Sequence, residues 1–302
     1  MRIHSGYLQH MWRMKMDIIR GKVETAKKIV VYGEPGVGKS TLAAGAPNPV
    51  FIDPSGGSTK LDVARVNVRS WDDLTTALQS LRDDGHEFDT VVIDELGTLE
   101  HFCWSHLCEK HGKASIEAFG YGKGYTLATE AWRGLLKIVN GLHEKGFNVV
   151  MIGHSTISTF RDPEGPEYDR HHLKLHGKLA AMLKEWAETV LFCRHETVVG
   201  RTESERAVAH ATGSRVMHTR HAAAYDAKNR DDLPAKLPLL WDELETKSLS
   251  ASEMASEINE LSKKLSEAHR KTAASKMKEA DGDKDKVKLI HNWVKTKAGE
   301  TK

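Results

Sequence analysis

Residues 33–41 read GEPGVGKST, and this stretch decides the fold. It directly follows the short apolar run KIVVY at residues 28–32, and a segment able to form a helix begins at Thr41. The spacing is that of a phosphate-binding loop, GxxxxGK followed by Ser or Thr, placed between a strand and a helix as such a loop requires. The sequence therefore predicts an α/β protein that binds a nucleotide.

Each part of this loop has a chemical role. Its glycines allow successive backbone N–H groups to turn inward around phosphate oxygens. Lys39 is expected to reach the β- and γ-phosphates, and the Ser40 hydroxyl to ligate Mg²⁺. The residues expected to hold ATP are Gly33, Glu34, Pro35, Gly36, Val37, Gly38, Lys39, Ser40 and Thr41.

A second apolar strand, TVVID at residues 90–94, supplies an acidic partner for the loop. We expect Asp94, at its end, to hold the magnesium ion opposite Ser40. Glu95 is a candidate catalytic group, because a carboxylate beside the γ-phosphate can act as general base on the attacking water. The alternative, in which Glu95 is an ordinary surface acid, stays open.

A third apolar strand, residues 148–153, ends at His154. In an open parallel sheet the carboxyl ends of the strands face the ligand, so His154 is positioned to sense the γ-phosphate. The alternative is a histidine with a purely structural hydrogen bond.

Apolar strands alternate with amphipathic helices along most of the chain. The runs at residues 90–94 and 148–153 are apolar without interruption, as expected of parallel strands covered on both faces. Trp132, Leu135 and Val139 mark one amphipathic helix among several. The pattern predicts an α/β protein of the P-loop NTPase class, with a mostly parallel sheet flanked by helices.

Composition and charge limit the other possibilities. The chain has 302 residues, and no apolar run approaches the roughly 18 residues that a membrane helix needs. Three cysteines are too few for a disulfide framework, and the first residues lack the features of a secretory signal, so we expect a cytoplasmic protein without a membrane partner. The net charge of +2 means that any polyanion site must be a local patch.

Two segments are candidate contacts for single-stranded DNA. Residues 119–125, FGYGKGY, interleave aromatic side chains with glycines and a lysine, which suits stacking on bases close to phosphate. Residues 161–178 carry basic side chains among four acids. A solvated connecting loop is the alternative for each segment. The candidate DNA-binding residues are Tyr121, Lys123, Tyr125, Arg161, Arg170 and Lys174.

From about residue 244 the chain becomes rich in Lys, Glu, Ser and Ala. Met254, Ile258, Leu261 and Leu265 form one narrow apolar stripe at helical spacing, which predicts a helical appendage. The predicted domains are an N-terminal extension at residues 1–15, an ATPase core at 16–243 and a charged helical tail at 244–302.

Several motifs, taken in order, resemble the phage and prophage P-loop ATPases with a RecA-like core. This group includes ATP-binding single-strand annealing proteins of phage recombination. The motifs lie between about residues 16 and 241 and read GEPGVGKST, VVIDE, GYGKGY, VVMIGHS, YDRHHLKLHGKLAAMLKEW and AYDAKNRDDLP. The resemblance places His154 at the family's sensor position and the following segment at its mobile DNA-binding loop. Lys228 and Arg230 resemble the pair that reaches a neighbouring subunit's ATP in RecA-like filaments.

The resemblance implies an ATPase that uses ATP and Mg²⁺, binds single-stranded DNA and promotes annealing or strand pairing. It also implies a homo-oligomer or filament in the cytoplasm of a bacterial host, with a single-strand DNA-binding protein as a further candidate partner.

One position departs from the RecA-like pattern. Proteins of that kind usually carry a catalytic glutamate just after the second strand of the sheet, which is predicted here at residues 50–53, and this chain has Ser55 at that place. A non-hydrolysing module, in which ATP only gates DNA annealing, therefore stays open. A P-loop kinase, whose lid would use Arg161 and Arg170, is a more remote alternative.

Overall fold

A computed structural model describes residues 25–201, 207–245, 251–263 and 265–280, together with eight residues between 282 and 297. The chain divides into two compact units, the first ending at Trp241 and the second beginning at Asp242. The predicted N-terminal extension lies outside the described residues, and the predicted domain boundaries stay a prediction. Among the residues that are described, no helix is both long and apolar enough to cross a membrane.

A sheet of nine strands forms the centre of the first unit. The strands are β1 (Lys28–Gly33), β2 (Pro49–Asp53), β3 (Ala64–Asn67), β4 (Thr90–Asp94), β5 (Asn148–Phe160), β6 (Tyr168–Leu173), β7 (Thr189–Arg201), β8 (Ala207–His218) and β9 (Lys236–Pro238). Their order across the sheet is β3-β2-β4-β5-β1-β7-β8-β9, and β6 pairs with the outer part of β5. The strands from β3 to β7 in this order run parallel, and β8 is antiparallel to both of its neighbours, β7 and β9.

Helices flank the sheet. In the first unit they are α1 (Lys39–Ala44), α2 (Trp71–Asp83), α3 (Leu96–His111), α4 (Lys123–Glu144) and α5 (Gly177–Trp186). The start of α2 follows a local rule, because the Ser70 hydroxyl accepts a hydrogen bond from the Asp73 amide at 3.0 Å and caps the helix. The second unit contains α6 (Ala251–Ser262) and α7 (Glu267–Ala280).

The main core lies between the sheet and α2 to α5. Every residue of β4 is buried, as expected of a strand covered on both faces. Leu74 and Leu78 from α2 and Trp132 from α4 are fully buried in the same cluster, and the Trp132 ring packs edge-on against Trp71 at 5.2 Å. The helical spacing of these apolar residues in the sequence therefore places their side chains on the face of each helix that packs in the core.

The strand order brings three predicted functional positions to one edge of the sheet. Strand β5 lies between β1 and β4, with Gly33 opposite His154 and Asp94 opposite Ile152. Because these strands are parallel, the phosphate-binding loop, Asp94 and His154 all lie at their carboxyl ends. The predicted fold class, an α/β P-loop NTPase with a mostly parallel sheet flanked by helices, is confirmed.

Two strands extend much further than the sequence indicates. Strand β5 was expected to end at residue 153, but it continues to Phe160 and forms an antiparallel hairpin with β6, here called the β5–β6 hairpin (residues 155–173). The sequence predicts a strand at residues 189–194, and β7 likewise extends beyond it, to Arg201, where it pairs with β8. The extensions are rich in polar residues, and their stability comes from cross-strand partners that lie elsewhere in the chain.

The second unit has its own small apolar cluster. Ile258, Leu265 and Ala273 are buried in it, so part of the apolar stripe noted in the sequence does form a packed face. Arg270 of α7 donates to the carbonyl of Ser262, the last residue of α6, at 3.2 Å and so joins the two helices of this unit.

Candidate active site

The phosphate-binding loop joins β1 to α1 at the carboxyl edge of the sheet. Gly38 has a φ of 104°, in the region that favours glycine, so the turn into α1 requires this residue. Gly33 is required for a different reason. A Cβ atom at Gly33 would lie 2.0 Å from the carbonyl oxygen of Cys193 on the neighbouring strand β7, so only glycine lets the two strands approach.

Lys39 is held inside the loop by its own neighbours. The residue is only 5% exposed, and its ammonium donates to the carbonyls of Gly33 at 3.1 Å and Glu34 at 2.8 Å. Burial lowers the pKa of Lys39, and the nearby carboxylates, including Asp94, oppose this shift. The ammonium is thus fixed at the position from which it can bind phosphate oxygens.

Ser40 and Asp94 form the pair expected of a magnesium site. The Ser40 hydroxyl donates to the Asp94 carboxylate at 2.5 Å, although the two residues come from different elements. Burial raises the pKa of Asp94, and the hydrogen bond from Ser40 opposes the rise. A hydroxyl and a carboxylate are the hard oxygen ligands that Mg²⁺ prefers, so these residues fit the ion.

His154 lies between Lys39 and Glu95. Its Nδ1 atom is 3.4 Å from the Lys39 ammonium, and its Nε2 atom is 3.8 Å from the Glu95 carboxylate. An ammonium has only donors, so Nδ1 must accept, and the neutral ring then carries its proton on Nε2, facing Glu95. His154 therefore connects the phosphate-binding lysine to the candidate general base.

Glu95 also begins α3. Its carboxylate accepts hydrogen bonds from the amides of Gly97 at 3.3 Å and Thr98 at 3.2 Å, and the Thr98 hydroxyl donates to the same carboxylate at 3.1 Å. The side chain is 19% exposed, so Glu95 is not an ordinary surface acid. These amides hold the carboxylate in a fixed orientation beside His154 and Asp94.

A family comparison agrees with this geometry. A protein-family model described as an AAA domain matches residues 25–231, about two thirds of the chain. The chain belongs to the AAA domain family. As an AAA domain it is a P-loop NTPase, and ATPases of this kind generally use ATP and Mg²⁺. A comparison with curated proteins found no match.

The loop after β2 of this AAA domain is organised by Asp53. Its buried carboxylate accepts hydrogen bonds from the amides of Ser55 at 3.1 Å, Gly56 at 2.6 Å and Ser58 at 2.9 Å. Burial alone would raise the pKa of Asp53, but a hydrogen bond from the Ser58 hydroxyl at 2.5 Å, together with these amides, outweighs it and holds the pKa below its ordinary value. Ser55 brings no carboxylate to this loop. The Glu95 carboxylate, by contrast, lies 3.8 Å from His154 Nε2.

Lys228 and Arg230 lie away from the phosphate-binding loop of their own chain. Lys228 pairs with Val190, near the start of β7, whereas the loop lies at the carboxyl end of β1. The Lys228 ammonium donates to the carbonyls at the end of α5, including Ala187 at 2.6 Å. Arg230 lines an open cavity of about 530 Å³ with Arg220 and His221. A role of this pair on a neighbouring subunit's ATP stays a prediction.

The candidate DNA-binding residues fall into two groups. Tyr121, Lys123, Arg161 and Lys174 are exposed. Tyr121 lies in the turn before α4 and Lys123 is the first residue of α4; both belong to the segment here called the aromatic loop (residues 119–125). Arg161 directly follows β5, and Lys174 directly follows β6. These four are available to a ligand.

Arg170 and Tyr125 are instead engaged within the protein. The Arg170 side chain is only 9% exposed, pairs with Asp226 and packs over the Phe160 ring. These contacts hold the Arg170 side chain within the protein, which corrects the expectation that its guanidinium faces DNA. Tyr125 is half-buried and donates to Glu117 at 2.6 Å.

Sequence reasoning missed Arg215. This residue of β8 lies against Gly38 of the phosphate-binding loop, although it is far away along the chain. The sequence offers one signal: residues 215–220 predict a strand, but the pattern does not indicate where that strand lies in the sheet.

Proposed function

We propose that this AAA domain hydrolyses ATP and binds single-stranded DNA, and that ATP binding controls the DNA-binding surface used for annealing or strand pairing. The observation that carries the proposal is the position of His154. This residue contacts the phosphate-binding lysine and begins the segment that leads into the β5–β6 hairpin.

The residues at the site suit water attack on the γ-phosphate. Lys39 binds the phosphate oxygens, and Glu95 accepts a proton from the attacking water while the α3 amides keep its carboxylate in place. Ser40 and Asp94 would hold Mg²⁺, which would supply positive charge next to the phosphates. His154 Nε2 faces the Glu95 carboxylate at 3.8 Å and His154 Nδ1 faces the Lys39 ammonium at 3.4 Å, so a movement of Lys39 would shift the histidine relative to the candidate general base.

A second set of contacts joins His154 to the aromatic loop. The Lys174 amide donates to the His154 carbonyl at 2.8 Å. Two residues later, the His176 ring stacks on Tyr125 with 4.2 Å between centroids and 4° between planes. Both exposed segments with candidate DNA contacts are therefore linked through packed or hydrogen-bonded residues to one histidine at the nucleotide site.

The chemistry of the aromatic loop favours single-stranded nucleic acid as its ligand. Tyr121 is fully exposed between two glycines and stands beside the exposed Lys123. An exposed ring can stack on an unpaired base, and a neighbouring cation attracts its phosphate.

The test measures ATP turnover and DNA binding in the same preparation. We expect single-stranded DNA to increase turnover, and ATP to increase affinity for a labelled oligonucleotide. Tyr121→Ala should weaken that binding about tenfold, since one stacked base contributes on the order of 1–3 kcal/mol. The proposal would be refuted if DNA left the rate of ATP turnover unchanged and if neither ATP nor the Tyr121→Ala substitution changed the affinity for the oligonucleotide.

Lysine variants provide the matched control. Lys123 begins α4, and Lys137 is an exposed lysine further along the same helix. Lys123→Ala should lower the dependence of binding on salt, because one phosphate contact is lost. Lys137→Ala should leave binding and its salt dependence unchanged.

A non-hydrolysing module is the second candidate. It is favoured by Ser55 at the position where a glutamate would be expected, and by the use of the Glu95 carboxylate as the cap of α3. If DNA binding responds to ATP but no phosphate is released, with or without DNA, this second function is correct and Glu95 is only a cap.

A further inference from the structure

Arg215 approaches the phosphate-binding loop from a strand that is two positions away in the sheet. Strand β8 pairs with β7, and β7 pairs with β1. A Cβ atom at Gly38 would lie 2.7 Å from Arg215 Nη1 and 3.5 Å from Arg215 Cζ. The guanidinium therefore packs directly over the backbone of Gly38.

The arginine comes from the side of the loop opposite to the candidate catalytic groups. At the end of β1, Gly33 is paired with His154 of β5 on one side and with Cys193 of β7 on the other. Ser40, Asp94 and Glu95 belong to the β5 side, since β4 pairs with β5. Arg215 belongs to the β7 side.

This placement distinguishes between the phosphates of a bound nucleotide. The γ-phosphate must lie toward Asp94 and Glu95, where the magnesium pair and the candidate base are. The α- and β-phosphates then follow the loop backbone toward Gly38, and the nucleoside lies beyond them. A guanidinium at Gly38 is thus close to the phosphates nearer the nucleoside.

The surroundings of Arg215 keep its charge available. The residue is exposed, and no carboxylate of the described residues forms an ion pair with it. Its backbone is fixed, because its carbonyl accepts from the Leu239 amide at 3.1 Å, and the Leu239 side chain would lie 3.5 Å from the same Cβ position on Gly38. A planar guanidinium held over a phosphate-binding loop suits two parallel hydrogen bonds to a phosphate.

We propose that Arg215 binds the α- or β-phosphate of the nucleotide within the same subunit. It completes the phosphate site from the β7 side, opposite Lys39. The proposal concerns nucleotide binding alone and does not depend on hydrolysis or on DNA.

The test is titration of the full chain with fluorescent analogues of ATP and ADP, in magnesium and without DNA. Arg215→Ala should weaken both nucleotides about tenfold or more and to the same extent, as expected from losing a hydrogen bond to a charged group. Arg215→Lys should recover part of the affinity, because it keeps the charge but not the planar pair of donors.

Arg220→Ala is the matched control. Arg220 is an exposed arginine just after β8, and its guanidinium is 3.4 Å from Asp232. Its removal should leave both affinities unchanged. Circular dichroism of each variant checks that the protein is folded, and the exposed position of Arg215 makes loss of folding unexpected.

Two results would overturn the proposal. Unchanged affinity for both nucleotides in the Arg215→Ala protein would show that the guanidinium does not touch the phosphates. A loss confined to ATP would place the arginine at the γ-phosphate, on the other side of the site. Neither result bears on DNA binding, so failure here is distinguishable from failure of the proposed function.

Discussion

Replacing Arg170 with alanine separates a structural role from a DNA-binding role. Arg170 lies on β6, where its guanidinium pairs with Asp226 and packs over Phe160 with 5.5 Å to the ring centroid. Asp226 also accepts from Lys184 at 2.6 Å, and its backbone amide and carbonyl both bond to the Tyr32 hydroxyl. Arg170 therefore ties the β5–β6 hairpin to the centre of the sheet.

The cost of the substitution follows from these contacts. Asp226 keeps Lys184 as a partner, so the alanine variant does not leave an isolated buried charge. The loss is one hydrogen-bonded ion pair, on the order of 2 kcal/mol, and one cation–π contact of roughly 1 kcal/mol. A total of about 3 kcal/mol corresponds to a fall in Tm of about 6–12 °C for a protein of this size.

Thermal unfolding and oligonucleotide binding are the two measurements. Arg161→Ala is the control, since that side chain is 87% exposed and its ion pair with Glu167 should contribute less than about 1 kcal/mol. We expect Arg170→Ala to lower Tm and Arg161→Ala to leave it within about 2 °C. If Arg170→Ala keeps the normal Tm and weakens DNA binding more than Arg161→Ala does, the structural assignment of Arg170 is wrong.

Three further predictions concern the core, the ion-pair network and the site. Gly33→Ala should destabilise the protein by about 3 kcal/mol, because its Cβ would meet the Cys193 carbonyl on β7; a normal free energy of unfolding would contradict this. Although burial opposes it, Lys184 and Arg170 lower the pKa of Asp226, so Asp226→Asn should cost about 3 kcal/mol at pH 7. The difference in unfolding free energy between wild type and Asp226→Asn is fully present above the pKa of Asp226 in the unfolded chain. It should shrink below about pH 4, because the wild-type carboxylate of the folded protein then takes up a proton. Urea unfolding at several pH values would measure this change. Lys39→Ala should abolish ATP turnover in a folded protein, and near-normal turnover would show that this loop does not bind the ATP that is hydrolysed.

The assembly prediction can be tested with one arginine. If Arg230 reaches a neighbouring subunit's ATP, turnover should rise more steeply than linearly with protein concentration, and Arg230→Ala should lower it without weakening nucleotide binding. Mixing this variant with Lys39→Ala subunits should restore some activity. Lys228→Ala is less informative, because its ammonium also caps α5. Flat specific activity and no recovery on mixing would argue against a shared site.

The sequence predicts the centre of this fold well because its signals there are local. The phosphate-binding loop depends on residues 33–41 alone, and the buried strands at residues 90–94 and 148–153 are apolar without interruption. The cap at Ser70 needs only the amide three residues later. Where one short window contains the whole physical cause, the prediction succeeds.

The remaining features arise from partners distant in the chain. Residues 168–173, YDRHHL, show no apolar pattern, and they form a strand because residues 155–160 lie opposite them. Arg170 looks like a surface cation until Asp226 is placed beside it. Arg215 meets Gly38 only because β8 follows β7 in the sheet. None of these juxtapositions can be read from spacing.

The continuity of β5 has a mechanical consequence. Six of its residues, from Ser155 to Phe160, extend beyond His154 without a break, and at about 3.3 Å per residue they form an arm of roughly 20 Å. If the paired strand tilts as one piece, a tilt of about 10° at His154 would carry the far end of that arm through roughly 3.5 Å. Small adjustments around one histidine would thereby become movements of several ångströms at the tip of the hairpin.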